Sequence, residues 1–144
     1  SCTCDKANIH LTLHTDGGAR GNPGPAGCGA IVADVRGKVL KEDGRYLGET
    51  TNNQAEYRGL IDGLEHCKEL GGVTVDVFMD SELIVKQMRH EYKVKAAELA
   101  PLFLRAWNLC AGFKKVTFTH IPRARNSHAD RMVNEAIDRG ISRS

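Results

Sequence analysis

The chain has 144 residues, 41% of them hydrophobic and 26% charged, with a formal net charge of +2. That length suits one domain with a real core, and the near-neutral charge excludes a histone-like polycation while leaving room for a local basic patch. No apolar run approaches membrane-spanning length and no signal-peptide pattern opens the chain, so a cytoplasmic protein with no membrane contact is expected. The five cysteines, Cys2, Cys4, Cys28, Cys67 and Cys110, form no paired Cys-x-x-Cys units. Cys28, Cys67 and Cys110 lie in apolar contexts and read as small core residues in a reducing cytosol; a Cys67–Cys110 disulfide has no geometric support in the sequence. Cys2-x-Cys4, with His10 and His14 nearby, is either a metal clip or an incidental terminus, and the second is preferred. Residues 1–7 read as a flexible N-terminal segment and residues 8–144 as one domain.

Ile9 to Thr15 alternates as a strand does and leads to Asp16. The stretch from Gly17 to Gly27 reads as a long loop, whose glycines admit a close ligand and whose Pro23 and Pro25 block strand pairing. A carboxylate at a strand's mouth beside such a loop marks either a solvated turn or a binding surface. His14 shares a face with Asp16, and a packed or solvated histidine is preferred to a metal ligand. Cys28 to Val35 and Val39 to Tyr46 are further strands, joined shortly enough to predict an antiparallel meander.

Thr51, Asn52 and Asn53 are capping residues ahead of a helix, with Glu56 a capping-box interval after Asn53. Its apolar positions include Ala55, Gly59, Leu60, Gly63 and Leu64, at helical spacing. Gly59 and Gly63 cost roughly 1 kcal/mol each in helix propensity, which close packing on a sheet would offset. Gly71-Gly72 stops the helix. Val73 to Met79 is a fourth strand ending at Asp80, and Ser81 to Met88 a short helix. A basic connector through Lys95 and a helix over Glu98 to Ala111 follow. Lys115 to Ile121 is a fifth strand, Pro122 to Asn126 a loop, and Ser127 to Arg139 a last helix stopped at Gly140.

Three antiparallel strands followed by helix–strand units predict an α/β fold with a mixed five-stranded sheet flanked by helices. The strands ending in Asp16 and Asp80 can then be parallel neighbours, with both acids at one sheet edge. Asp16, Glu56, Asp80 and Asp130 are the candidate cluster. Converging carboxylates repel in a poorly solvated cleft and call for hard cations such as Mg²⁺ or Mn²⁺.

The blocks Thr15-Asp16-Gly17-Gly18-Ala19-Arg20-Gly21-Asn22-Pro23-Gly24-Pro25, Thr51-Asn52-Asn53-Gln54-Ala55-Glu56, Asp80-Ser81-Glu82 and Asn126-Ser127-His128-Ala129-Asp130 occur in order along the chain. Together they resemble a type 1 ribonuclease H from about Asn8 to Asp138. The resemblance implies the ribonuclease H fold and endonucleolytic cleavage of the RNA strand of RNA–DNA hybrids by two divalent ions, with 5′-phosphate and 3′-hydroxyl products. It implies that Asp16, Glu56, Asp80 and Asp130 bind the metal ions. Gly17, Asn22, Asn53 and Gln54 are implied to lie along the RNA strand, and Thr51 and Asn52 on the DNA side. A monomer with no obligate protein partner is expected.

Three departures from the family pattern stand out. The basic handle shrinks to Arg89-His90-Glu91-Tyr92-Lys93-Val94-Lys95. Ala96 and Ala97 stand where an asparagine often helps to hold a DNA phosphate, and Glu49 where a basic residue can assist. The loop before the last acid has no histidine, and Arg125 is the expected substitute there for stabilising phosphate charge. This pattern resembles the shorter, handle-less bacterial and archaeal members.

Overall fold

The computed structural model describes residues 8–143, so the Cys2-x-Cys4 pair and the expected terminal segment lie outside the described residues. Strands β1 (His10–Ala19), β2 (Gly24–Ala33) and β3 (Val39–Thr50) form the meander. They are followed by α1 (Asn52–Glu69), β4 (Thr74–Met79), α2 (Glu82–Met88), α3 (Ala100–Cys110), β5 (Lys115–His120), a 3-10 turn over Arg123–Asn126 and α4 (Ser127–Arg143). The sheet has five strands in the order β3-β2-β1-β4-β5, with β4 parallel to β1 and β5 parallel to β4. This is the expected mixed sheet.

The first two strands run further than side-chain alternation predicts. β1 continues through Asp16 to Ala19, and Gly17 and Gly18 pair with Cys28 and Gly27 of β2. The connection shrinks to Arg20–Pro23, with Gly21 in the left-handed region at φ 89°. Pro25 does not block pairing. It lies in β2 opposite Glu49 of β3, and its carbonyl accepts the Arg20 N–H at 2.8 Å. Glycine and alanine erase the alternation that marks a strand, whereas the ladder itself is made of backbone. β3 likewise passes the expected end at Tyr46 and reaches Thr50.

Helix α1 covers one face of the sheet, with Leu60 and Leu64 in one buried core with Leu11 and Leu13. A Cβ on Gly59 would stand 2.6 Å from the Asp16 carbonyl oxygen, and one on Gly63 2.6 Å from the Leu13 side chain. The glycines therefore set how closely the helix lies on β1. The buried Tyr57 hydroxyl donates to Gln87 Oε1 at 2.6 Å and ties α1 to α2. Helix α4 packs across β1, β2 and β3 through Ala129, Val133, Ala136 and Ile137. It does not stop at Gly140, which is buried within it; a Cβ there would lie 2.1 Å from the Tyr46 ring. The residue is glycine because the ring occupies its side-chain space. Among the described residues Cys28, Cys67 and Cys110 are free, so Cys67 and Cys110 are not bridged.

Candidate active site

The β1–β4 ladder places His14 opposite Phe78. Two residues further along the same parallel register, Asp16 and Asp80 stand side by side at one end of the sheet. Asp16 belongs to β1 itself, since that strand outlasts it, and Asp80 follows the last residue of β4. Glu56 arrives from α1. The cap of that helix is Thr51, whose side chain accepts the Gln54 N–H at 3.2 Å while the Gln54 side chain returns to the Thr51 backbone. The capping box is thus Thr51/Gln54 rather than Asn53/Glu56, and Glu56 is left to turn toward the sheet end.

One carboxylate oxygen from each of Asp16, Glu56 and Asp80 lies within 4.8 Å of the others. Asp130, in the first turn of α4, lines the same cleft of about 290 Å³ but stands outside this tight trio. Asp16 and Glu56 are only 6% and 7% exposed. Burial pushes the Asp16 carboxyl up to about 7, helped by the charges of Asp80 and Asp130 and opposed by the Gly17 N–H and Arg123. Burial, then Asp16 and Asp80, also hold Glu56 well above the carboxylate range.

Glu56 Oε1 is buried without a hydrogen-bond partner among the described residues. Unmet negative charge, an orphaned oxygen and an all-carboxylate donor set fit a hard divalent cation.

A pH dependence follows for the metal-free protein. The unfolded chain releases the Asp16 proton near 3.8, whereas the folded chain keeps it to about 7. The folded state binds more protons between those values, so the contribution of this group to stability is fully present below the lower one and is lost as pH rises toward the upper one. Melting temperature measured in chelator is expected to fall over that window and then level off, and saturating Mn²⁺ is expected to flatten the slope. A slope that Mn²⁺ leaves unchanged would argue against a cation at the trio.

The other expected residues distribute around this centre. Gly17 lies beneath α1, where a Cβ would stand 2.2 Å from the Ala55 carbonyl carbon, so its smallness serves the helix contact. Its N–H favours the charged forms of Asp16 and Glu56. Asn22 Oδ1 accepts the Asn52 N–H at 3.0 Å, and Asn52 Oδ1 accepts the Ala19 N–H at 2.8 Å. Gln54 Oε1 accepts the Thr51 N–H at 3.3 Å, the Thr51 hydroxyl at 3.1 Å and the Thr50 hydroxyl. Asn53 is half-buried in the first turn of α1. Arg20 turns away to α4, where Nη1 donates to Asp138 at 2.7 Å.

The cleft is bordered by Arg123, not Arg125, because the four-residue 3-10 turn brings the former round to it. Both are basic residues of one short segment, and composition alone did not separate them. Among the described residues no histidine lines the cleft. His120 Nδ1 is 3.9 Å from Glu82 and His128 Nε2 3.1 Å from Glu42. His14 stacks on Phe78 at 4.9 Å, and burial, with the charge of His128, lowers its pKa. Asn126, which the sequence placed in a block without a role, is buried and donates to Asp80.

A family model described as reverse transcriptase-like matches residues 14–136. A bifunctional protein of Mycobacterium tuberculosis is 47% identical over 90% of this chain, but the chain spans only 36% of that relative's length. A ribonuclease H of Sulfurovum is 38% identical, over 70% of this chain and 72% of that protein. Among solved structures, LC11-RNase H1 in complex with an RNA/DNA hybrid superposes with a TM-score of 0.87 at 46% identity, covering 91% of this chain and 99% of that one. LC11-RNase H1 was isolated from compost by a metagenomic approach. A reverse transcriptase-like profile spanning all four acids, relatives that carry the ribonuclease H name and a neighbour so similar along its length have one common meaning: the chain belongs to the type 1 ribonuclease H family.

Proposed function

We propose that this protein hydrolyses the RNA strand of RNA–DNA hybrids endonucleolytically, with two divalent ions, Mg²⁺ or Mn²⁺, held by Asp16, Glu56, Asp80 and Asp130. The observation that carries this reading is the carboxylate trio, with Asp16 and Glu56 buried and one Glu56 oxygen orphaned, set in a cleft that also includes Gly17 and Asn52. The relative solved with an RNA/DNA hybrid supports the substrate class. When bound, the ions would activate water and neutralise charge on the leaving oxygen, giving 5′-phosphate and 3′-hydroxyl ends.

The protein's own groups do the rest. Asp16, Glu56 and Asp80 would hold the cations at the sheet end, and Asp130 lines the cleft from α4. Asn22, Asn53 and Gln54, with the Gly17 backbone, line the RNA strand, where amides can bond a 2′-hydroxyl that DNA lacks. Thr51 and Asn52 face the DNA strand. The sequence pointed to Arg125 for the phosphate; because Arg123 borders the cleft, we assign that role to Arg123 instead. We place the enzyme in the cytoplasm, where free Cys28, Cys67 and Cys110 fit a reducing compartment, and as a monomer without an obligate partner.

Cleavage of labelled hybrid, double-stranded RNA and double-stranded DNA, measured side by side with Mg²⁺ or Mn²⁺, tests the proposal. Hybrid is expected to be cut and double-stranded DNA left intact; equal cutting of both, or an intact hybrid, would sink it. In the same assay Arg123→Ala is expected to lower turnover by about tenfold or more, since one charge-assisted contact is worth ~1.5–3 kcal/mol. Arg125→Ala is expected to stay near wild type, and the opposite order would return the role to Arg125.

A further inference from the structure

We propose that Asn126 is a positioning residue that sets the rotation of the Asp80 carboxylate and anchors the turn carrying Arg123; this rests on the metal-dependent reading above. Asn126 is 1% exposed and ends the 3-10 turn that begins at Arg123. Its Nδ2 donates to the Thr15 carbonyl at 2.9 Å and to Asp80 Oδ2 at 3.1 Å. One NH₂ group thus spends both hydrogens on two acceptors, one in β1 and one at the end of β4. The reverse amide orientation would set its carbonyl against the same two acceptors, so the donor assignment follows from the partners.

The remaining oxygen, Asn126 Oδ1, is buried without a partner among the described residues, as is the neighbouring Thr15 Oγ1. An unpaired buried carbonyl is unfavourable, and an apolar side chain of similar size would fill the space without it. Packing therefore does not account for an amide at this position, whereas its two donor contacts do. With Oδ2 fixed from one side, the Asp80 carboxylate cannot swing away from Asp16 and Glu56. The same anchor fixes the end of the turn on which Arg123 stands, whose geometry is closed by the Arg125 N–H to Pro122 carbonyl bond at 2.9 Å. Groups that orient a metal-binding side chain typically change metal affinity or activity by about 10–100-fold when removed.

The test is calorimetric titration of Mn²⁺ into the substrate-free protein, with melting curves in chelator and kcat and KM on hybrid. Wild type, Asn126→Leu, Asn126→Ser and Asp80→Asn are compared. Asn126→Leu keeps the volume and removes the donors. It is expected to fold with a modestly lower metal-free melting temperature, since two acceptors lose their donor, to bind Mn²⁺ about 10–100-fold more weakly and to lose kcat while KM for hybrid holds. Asn126→Ser retains one donor and is expected to fall between, which keeps the test open should the leucine variant not fold. Wild-type Mn²⁺ affinity in the folded Asn126 variants, with affinity lost in Asp80→Asn, would overturn the positioning role alone. Equal affinity in wild type and Asp80→Asn would remove the metal site itself, and this role with it.

Discussion

Asp16→Asn is expected to reduce turnover on hybrid by on the order of a thousandfold or more while leaving the fold intact. The substitution keeps the size of the side chain and removes one charge from the centre of the trio. An amide still offers a carbonyl oxygen, but not the negative charge that the proposed cation would need beside Glu56 and Asp80. Without divalent ions the same change is expected to raise the melting temperature at neutral pH. Burial and the nearby charges of Asp80 and Asp130 work against the ionised Asp16, and the variant relieves all three. Turnover on labelled hybrid and melting in chelator form the paired measurement. Near-normal turnover would take Asp16 out of the catalytic set, whatever happened to the melting temperature.

Gly17→Ala should be among the most destabilising single-methyl additions in the protein. Its Cβ would stand 2.2 Å from the Ala55 carbonyl carbon, 2.3 Å from that oxygen and 2.5 Å from the Glu56 nitrogen. These are backbone atoms of a helix, so no rotamer change relieves the overlap. Either β1 bends or α1 lifts, and lifting α1 carries Glu56 away from Asp16. Overpacking costs ~1–3 kcal/mol, occasionally more, and a clash with fixed backbone belongs at or above the upper end of that range. For a chain of this size that corresponds to a melting temperature lower by about 10 °C. Gly18→Ala is the control: the nearest atom to its Cβ would be Asn52 Oδ1 at 3.7 Å, an ordinary contact. Melting curves of the two variants decide the matter, and similar curves would mean that α1 yields more easily than its packing indicates.

Much of this architecture was legible because apolar periodicity survives in the elements that bury apolar side chains. Leu60 and Leu64 on α1 and Val75, Val77 and Met79 on β4 fall on buried faces and marked their elements from spacing alone. The β1–β2 junction was not legible. Gly17, Gly18 and Ala26 lie within strands but add nothing to an alternation, and Pro25 tolerates a ladder position that reads as forbidden. The helix start was ambiguous because Thr51, Asn52 and Asn53 are all good caps; only the three-dimensional pairing of Thr51 with Gln54 selects the first. Gly140 reads as a stop unless the Tyr46 ring beside it is known. Arg123 and Arg125 differ only by their place on a tight turn. Asn126 opens one of the blocks that carry the resemblance, but its role is not legible until Thr15 and Asp80, distant in sequence, are seen on either side of it.

The tie between Asn22 and Asn52, together with the Gln54 cap, gives the rim beside the acids a polarity. Each of these three amides turns its carbonyl inward onto the protein, to the Asn52 N–H, the Ala19 N–H and the Thr50–Thr51 corner respectively. Their NH₂ groups are what remains to meet a ligand. The acidic cleft, which Asn52 lines, thus has amide donors beside it, and a group docking against them must bring lone pairs rather than hydrogens. A hydroxyl oxygen or a phosphate oxygen satisfies those donors, whereas an ammonium or a methyl does not. Asn22→Asp would preserve the tie to the Asn52 N–H and reverse the outward sign at that one point, so the loop's shape and its polarity are separable by a single atom.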